Sequence, residues 1–421
     1  MKKENWKKIF SAFLLSLSLF LVGCNNGEET SKQAEITYSI WDPVQLPGMQ
    51  AVAKVFNEQQ DDVHVNVEVT PWEQYWTKLE SSAKGGKMPD IFWMHSNEIA
   101  KYSEGQVLMD LSEVIETSDE IDFSLFPEEL VELYTDGDEQ LGIPKDYSTI
   151  GLWYNKDLFD QAGIDYPDET WTWDTLLDAA IELTDQEKGI YGFLAPLNRE
   201  EGYHNFIYQN GGEVLSDDKK QSGFRNPATV EAVQWYVDLS IKYGVSPTAG
   251  EFSDNSDMSY FQAGRAAMSL FGSWMTAEIA SNENSNEFAD VAVLPAGEER
   301  ASIFNGLANS ISADTPHPEA AIEFLEFLSS EEGMILQGKE GGAIPALKGA
   351  DVSFTEAYPQ FNTEVFIEQM DYREIKPYSK YTVRWEYEEN DDLIPVFFGD
   401  VTVEEVSEQL ADNVERILET E

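Results

Sequence analysis

Between residues 36 and 94 the sequence changes its apolar period four times, and this succession constrains the fold more than any other feature. "ITYSIW" alternates Ile36, Tyr38 and Ile40 on one side, the period of two that a strand requires. "GMQAVAKVFNEQ" then sets Met49, Val52 and Phe56 on one helical stripe. "DVHVNVEVT" returns to alternation, with Val63, Val65, Val67 and Val69 opposed to His64, Asn66 and Glu68. A helix over "WEQYWTKLESSAK" and a strand in "PDIFWM" follow. Strand, helix, strand in immediate succession demands a crossover connection, so the chain is expected to open as an α/β fold on a parallel sheet.

Later segments carry their own start and stop signals. "TWDTLLDAAIEL" offers Thr172 as N-cap, with Leu176, Ala179, Ala180 and Leu183 spaced for a single buried face. "FRNPATVEAVQWYVDLSIKYG" has Asn226 as cap, Pro227 at the first helical position and Gly244 as its stop. "HPEAAIEFLEFLSSEEG" starts a helix at Pro318 and buries Ala321, Phe324, Leu325 and Leu328. Asp136-Gly137 is a turn pair between short apolar runs. About 385 residues follow the N-terminal leader and leash, enough for two domains with substantial cores.

The leader has an architecture of its own. Lys2, Lys3, Lys7 and Lys8 precede "IFSAFLLSLSLFLV", an apolar run of signal-peptide length that is short for a bilayer span. "LVGC" sets Leu21 three residues before Cys24 and small Gly23 directly before it. This resembles the lipobox of bacterial lipoproteins, which implies a signal peptide over residues 1–23, removal of that peptide, and acylation of the Cys24 thiol as a membrane anchor. Residues 24–35 are polar and aperiodic and read as a flexible leash. Cys24 is the only cysteine, so no disulfide within the chain is possible.

Charge and motif content narrow the function. With 79 acidic against 27 Lys and Arg, the formal net charge is −52, and the acids are dispersed along the chain. Such a surface repels phosphates, so no nucleic-acid partner is expected. No G-x-S-x-G elbow, H-E-x-x-H, phosphate loop or dinucleotide fingerprint occurs. His64, His95, His204 and His317 lie far apart, so neither a metal site nor a cofactor is expected. The many carboxylates leave open a pair at glycosidase spacing, against the plainer reading that they are solvated surface groups.

At "LGIPKDYSTIGLWYNKDLFDQAGID" (141–165) the chain resembles the extracellular solute-binding proteins of carbohydrate ABC importers, the family 1, maltose-binding-protein-like group. Its run Tyr154-Asn155-Lys156-Asp157-Leu158-Phe159 is the most recognisable part. Agreement continues through "YQNGGEVL", "FQAGRAAMSLFGSWM", "VAVLPAG" and "SADTPHPEAAIEFLEFLSSEEG". The resemblance implies a class II periplasmic-binding-protein-like fold. Its two α/β lobes, each a mainly parallel sheet flanked by helices, are joined by a multi-strand hinge. Carried onto this chain, lobe 1 takes residues 36–146 with 304–345, and lobe 2 takes 147–303 with 346–421.

It also implies a lipid-anchored monomer on the outer face of a Gram-positive cell membrane. That receptor binds a sugar, an oligosaccharide given the abundance of aromatic rings, and passes it to permease subunits without catalysing a reaction. A polyamine or peptide receptor, and a surface glycosidase, are the alternatives.

A neutral sugar needs carboxylates and amides for its hydroxyls and flat rings for its C–H faces. Open sheets bind ligands beyond their strand C-termini. Trp41 and Asp42, Trp72, and Trp93 with His95 and Asn97 are the candidates at such ends. The resemblance adds Asp146 and Tyr147 in the hinge, Trp274 as a stacking ring, Phe304 and Asn305 at the return crossing, and Trp385 as a second ring. Trp235 is expected in a helix core, Trp171 and Trp173 at a helix start, and Trp153 is open between strand core and site. Tyr203 and His204 are weaker candidates.

Overall fold

A computed structural model describes residues 33–421; the leader, Cys24 and most of the leash lie outside the described residues. The opening succession is as its periods demand. Strand β1 (Ala34–Ile40), helix α1 (Leu46–Gln59), strand β2 (Val63–Val69), helix α2 (Trp72–Lys84) and strand β3 (Ile91–Met94) follow one another. β1 pairs in parallel with β2, Ile36 opposite Val65, and with β3, Tyr38 opposite Ile91. Ile36, Tyr38 and Ile40 face the core, and α1 lays Met49, Val52 and Phe56 against them. Each fully buried aliphatic or aromatic side chain of this kind contributes roughly 1.5–3 kcal/mol.

Two distant strands complete this five-stranded sheet. Ala308–Ile311 runs antiparallel to β3, with Asn309 opposite Trp93, and Ile143–Pro144 pairs on its outer side. A second sheet has Ile150–Asn155 at its centre, antiparallel to Ala289–Ala292 and to Met268–Gly272. Parallel bridges at Leu194–Ser269 and Tyr191–Ala266 extend it. All six residues of the central strand are buried. Its Ile150, Leu152 and Tyr154 enter one apolar cluster, while Trp153 enters the other, against Phe361 at 5.2 Å. Trp153 is therefore strand core.

The two sheets organise two bodies of the molecule. One apolar cluster surrounds the five-stranded sheet and continues into the second sheet through Trp153, Phe271 and Val291, and the other gathers the helices Trp173–Leu183, Pro227–Ile241, Thr382–Phe397 and Val403–Leu418. Between them, Asp146–Tyr147 pairs with Ile344–Pro345, Ser148 bridges Asn305, and Ser302–Phe304 pairs with Arg373–Ile375.

Local signals operate as written. Thr172 closes a capping box with Thr175, and the helix it starts buries Leu176, Ala179, Ala180 and Leu183. The helix from Pro227 ends at Ile241, earlier than its glycine stop. Gly244 instead takes the left-handed conformation in the following turn, at φ 63°. In the hairpin Thr135–Asp136/Glu139–Gln140, Asp136 is the last strand residue and Gly137 starts the turn at φ 61°. Trp235 is half-buried against Trp173, with ring centroids 4.6 Å apart, and Trp173 donates its indole N–H to Gln209 Oε1 at 2.7 Å.

Candidate functional site

Where β1 ends, the backbone turns sharply on Asp42. Its Oδ1 accepts the Val44 N–H at 2.7 Å and its Oδ2 accepts Gln45 Nε2 at 2.7 Å, an arrangement favoured by the short acidic side chain. The turn leaves Trp41 in a nest of rings, with centroids 5.1 Å from Trp93, 5.2 Å from Trp72 and 5.2 Å from Tyr75, all edge to face. Trp72, at the first position of α2, is 42% exposed, so one large apolar ring faces solvent beside a rigid aromatic backing.

That ring borders a cleft of about 370 Å³ between the two bodies. The first body contributes Trp41, Asp42, Gln45, Trp72 and His95, and the crossing strands contribute Asp146, Tyr147, Ser148 and Asn305. The second body contributes Glu200 and, beyond the end of strand Met268–Gly272, Ser273, Trp274, Met275 and Glu278. Gly272 is required here: a Cβ at this position would lie 2.0 Å from the Trp274 ring. Glu201 accepts the Gly272 N–H at 2.9 Å, and burial pushes its carboxyl up to about 8.

The crossings are tied by charge. Lys145 and Asp146, both buried, form an ion pair, and the Lys145 ammonium lies 4.2 Å from the Trp93 ring centroid. Asp146 Oδ1 also accepts the Leu307 N–H at 2.8 Å, which fastens one crossing strand to the other. Asn305 donates Nδ2 to Glu200 Oε1 at 3.1 Å, while its Oδ1 has no partner. Gln45 Oε1 and Ser273 Oγ are likewise unpartnered, so three residues lining the cleft hold hydrogen-bonding capacity in reserve.

Protonation states follow from burial. Desolvation, with Lys376 nearby, lowers His95 to about 3, so the ring is neutral. Its Nδ1 accepts the Asn97 N–H at 3.1 Å, which assigns the proton to Nε2 and leaves a neutral donor at the cleft. Burial raises the Glu200 carboxyl, and burial together with Asp42 and Asp257 raises Glu278.

Past Trp72, His95 and Glu200 the cleft continues into a second compartment of about 300 Å³ that includes Asn97, Arg199, Lys376, Glu386 and Asn390. Among the described residues no group of three or more His, Cys, Asp or Glu is arranged to hold a metal ion. No described helix is long and apolar enough to cross a membrane.

Of the twelve residues expected at a ligand site, the cleft brings together Trp41, Asp42, Trp72, His95, Asp146, Tyr147, Trp274 and Asn305. Asn97 lies in the second compartment. The other three are corrected by burial. Trp93 is 0% exposed and donates its indole N–H to Tyr38 Oη at 2.6 Å, so it backs Trp41 from the core. Phe304 is 0% exposed within its crossing strand. Trp385 is 1% exposed on the inner face of helix Thr382–Phe397, with its N–H on Ser379 Oγ at 3.0 Å. In each case the strand or helix turns the ring inward, which a residue's distance from the end of an element does not reveal. Tyr203 and His204 are buried as well, both bonded to Glu389 Oε1.

Gln45, Ser148, Glu200, Ser273, Glu278, Arg199, Lys376 and Glu386 were not anticipated as site residues. For Gln45 and Glu278 the usable signal was proximity, three residues past Asp42 and four past Trp274. Glu386 directly follows Trp385, and Lys376 offered no signal.

A sequence profile described as bacterial extracellular solute-binding protein matches residues 42–335. The galactooligosaccharide-binding protein of Bacillus subtilis is 26% identical over 361 residues, 80% of this chain and 80% of that protein. Among solved structures, an ABC substrate-binding protein from Listeria monocytogenes in complex with cycloalternan superposes with a TM-score of 0.85 at 27% identity. The superposition covers 92% of this chain and 99% of that one. A solute-binding protein of an ABC transporter from Thermotoga lettingae, bound with α-D-tagatose, superposes at 0.80 with 25% identity, covering 92% of this chain and 100% of that one.

Proposed function

The chain belongs to the bacterial extracellular solute-binding proteins, with their α/β fold, and from that premise we propose that it captures an oligosaccharide in the cleft between its two bodies and delivers it to an ABC permease. One observation carries the reading. Trp72 of the first body and Trp274 of the second line the same cleft, with Asp42, Gln45, Asn305, Glu200 and a neutral His95 around them. Rings suit the C–H faces of a sugar, and the carboxylates, amides and imidazole N–H suit its hydroxyls. Contacts to both bodies would favour a closed arrangement over an open one, a population shift driven by the ligand. In this reading residues 36–146 with 304–345 form one lobe and residues 147–303 with 346–421 the other. Nothing in this role calls for a bond to be made or broken in the sugar.

The relatives support the class of ligand: one is named for galactooligosaccharides, and one structure holds cycloalternan. Isothermal titration with galactooligosaccharide, arabinooligosaccharide, maltotriose and cycloalternan tests it. Saturable binding to at least one, lost in Trp274→Ala, is expected; no binding to any of them, or an unchanged affinity in the variant, would refute the site. Incubation should return the oligosaccharide uncleaved.

A second reading has its own observation: four carboxylates and no cation line the first compartment. A polyamine would suit it, and would lose affinity steeply as salt rises, whereas a neutral sugar would not. Anchoring through acylated Cys24, with residues 1–23 removed, completes the proposal. Mass spectrometry of the mature N-terminus tests it, and an unmodified Cys24 preceded by the leader would refute it.

A further inference from the structure

Residues 373–386 form a strap by which the second body reaches the first, and the contact is built from scarce material. Only 27 of 421 residues are Lys or Arg, yet this strap carries four of them, and three, Arg373, Lys376 and Lys380, meet the first body at the boundary. Arg373 Nη2 lies 2.6 Å from Glu129, in helix Glu128–Leu133 of the first body. Lys380 Nζ lies 2.5 Å from Glu104, at the end of helix Ile99–Glu104.

Between these exposed ties is an inner one. The Lys376 ammonium, 5% exposed, donates to Asn97 Oδ1 at 2.7 Å and to Glu386 Oε1 at 2.6 Å. Asn97 Nδ2 donates back to Glu386 Oε2 at 2.9 Å. The three groups form a closed ring of hydrogen bonds, of which only Asn97 comes from the first body. Arg199 steadies the ring from behind, donating Nη1 to the Glu386 carbonyl at 3.0 Å and to Asn390 Oδ1 at 2.5 Å.

We propose that Asn97, Lys376 and Glu386 act as a clasp that holds the two bodies in the arrangement where both line the cleft, and so set ligand affinity without selecting the ligand. The proposal rests on the receptor reading above. When the bodies part, Asn97 loses two hydrogen bonds to charged partners, whereas the Lys376–Glu386 pair stays whole within the second body. Each such bond is worth more than a neutral one. The clasp therefore favours closure before any ligand arrives, and a binding-competent state that is more populated raises apparent affinity for every ligand in proportion. Burial raises the Glu386 carboxyl, but Lys376 and Arg199 bring it below its usual value, so Glu386 is ionised at neutral pH.

Asn97→Ala removes the link between bodies and leaves the ion pair; Lys376→Met removes the hub. Small-angle scattering on the ligand-free full chain should give a larger radius of gyration for both variants than for the wild type. Titration with galactooligosaccharide, maltotriose and cycloalternan should give losses of about tenfold or more, equal for every sugar that the wild type binds. An unchanged ligand-free radius would overturn the clasp, as would losses that differ between sugars, since these would make Asn97 a ligand contact. Should Lys376→Met fail to fold, Asn97→Ala decides alone. If the wild type binds none of the sugars, the receptor reading falls, while the scattering comparison still tests the clasp.

Discussion

Asp146→Asn tests how the crossing strands are held. The substitution keeps an oxygen for the Leu307 N–H, now accepted at 2.8 Å, and removes only the charge that faces Lys145. Lys145 is 1% exposed and would be left as a buried ammonium with the Trp93 ring, 4.2 Å away, as its remaining partner. Removing one partner of a buried pair costs about 3–5 kcal/mol. A desolvated cation over an indole returns about 2 kcal/mol, but that contact already exists in the wild type and so offsets nothing new unless it tightens. The expected loss is therefore about 3 kcal/mol, read from urea unfolding followed by tryptophan fluorescence. Lys145→Met in the same background removes the stranded charge and should recover most of this loss. If Asp146→Asn costs less than about 1 kcal/mol, or the two changes simply add, the pair does not hold the crossing.

Gly272→Ala should lower sugar affinity at least tenfold, as read by titration, because the new Cβ would lie 2.0 Å from the Trp274 ring and must displace it; overpacking of this kind costs about 1–3 kcal/mol. His95, lowered to about 3 from 6.5 by burial, is neutral when folded and takes up a proton on unfolding below pH 6.5. Its contribution to stability is thus complete above pH 6.5 and lost progressively as pH falls towards 3, and His95→Gln should flatten that limb of the stability profile. Thr172→Ala opens the capping box and should cost about 1 kcal/mol in thermal or urea unfolding, with sugar binding unchanged.

Wherever a helix or strand presents one face to the core, its pattern was legible in the chain. Thr172 with Leu176, Ala179, Ala180 and Leu183, and the opening run from Ile36 to Met94, are local codes: a cap satisfies its own first turn, and a period fixes which face is buried. Strand ends likewise pointed to Trp41, Asp42, Trp72 and His95, all of which line the cleft, because the crevice of such a fold opens beyond the ends of its strands.

What only the tertiary structure decided is which of these side chains turn outward and what meets them. Trp93 and Trp72 are equally aromatic, and both lie within three residues of a strand's end. One is fully buried by its bond to Tyr38, and the other is 42% exposed on the first turn of a helix. Asn97, Lys376 and Glu386 stand up to 289 residues apart, in segments with no shared period, and become one hydrogen-bonded ring only when the strap crosses the boundary between bodies. A sequence pattern records the burial of an element's own face, which selection acts on at fixed spacing. A contact between two bodies has no spacing to record, because its geometry is set by how elements distant in sequence come to rest against each other.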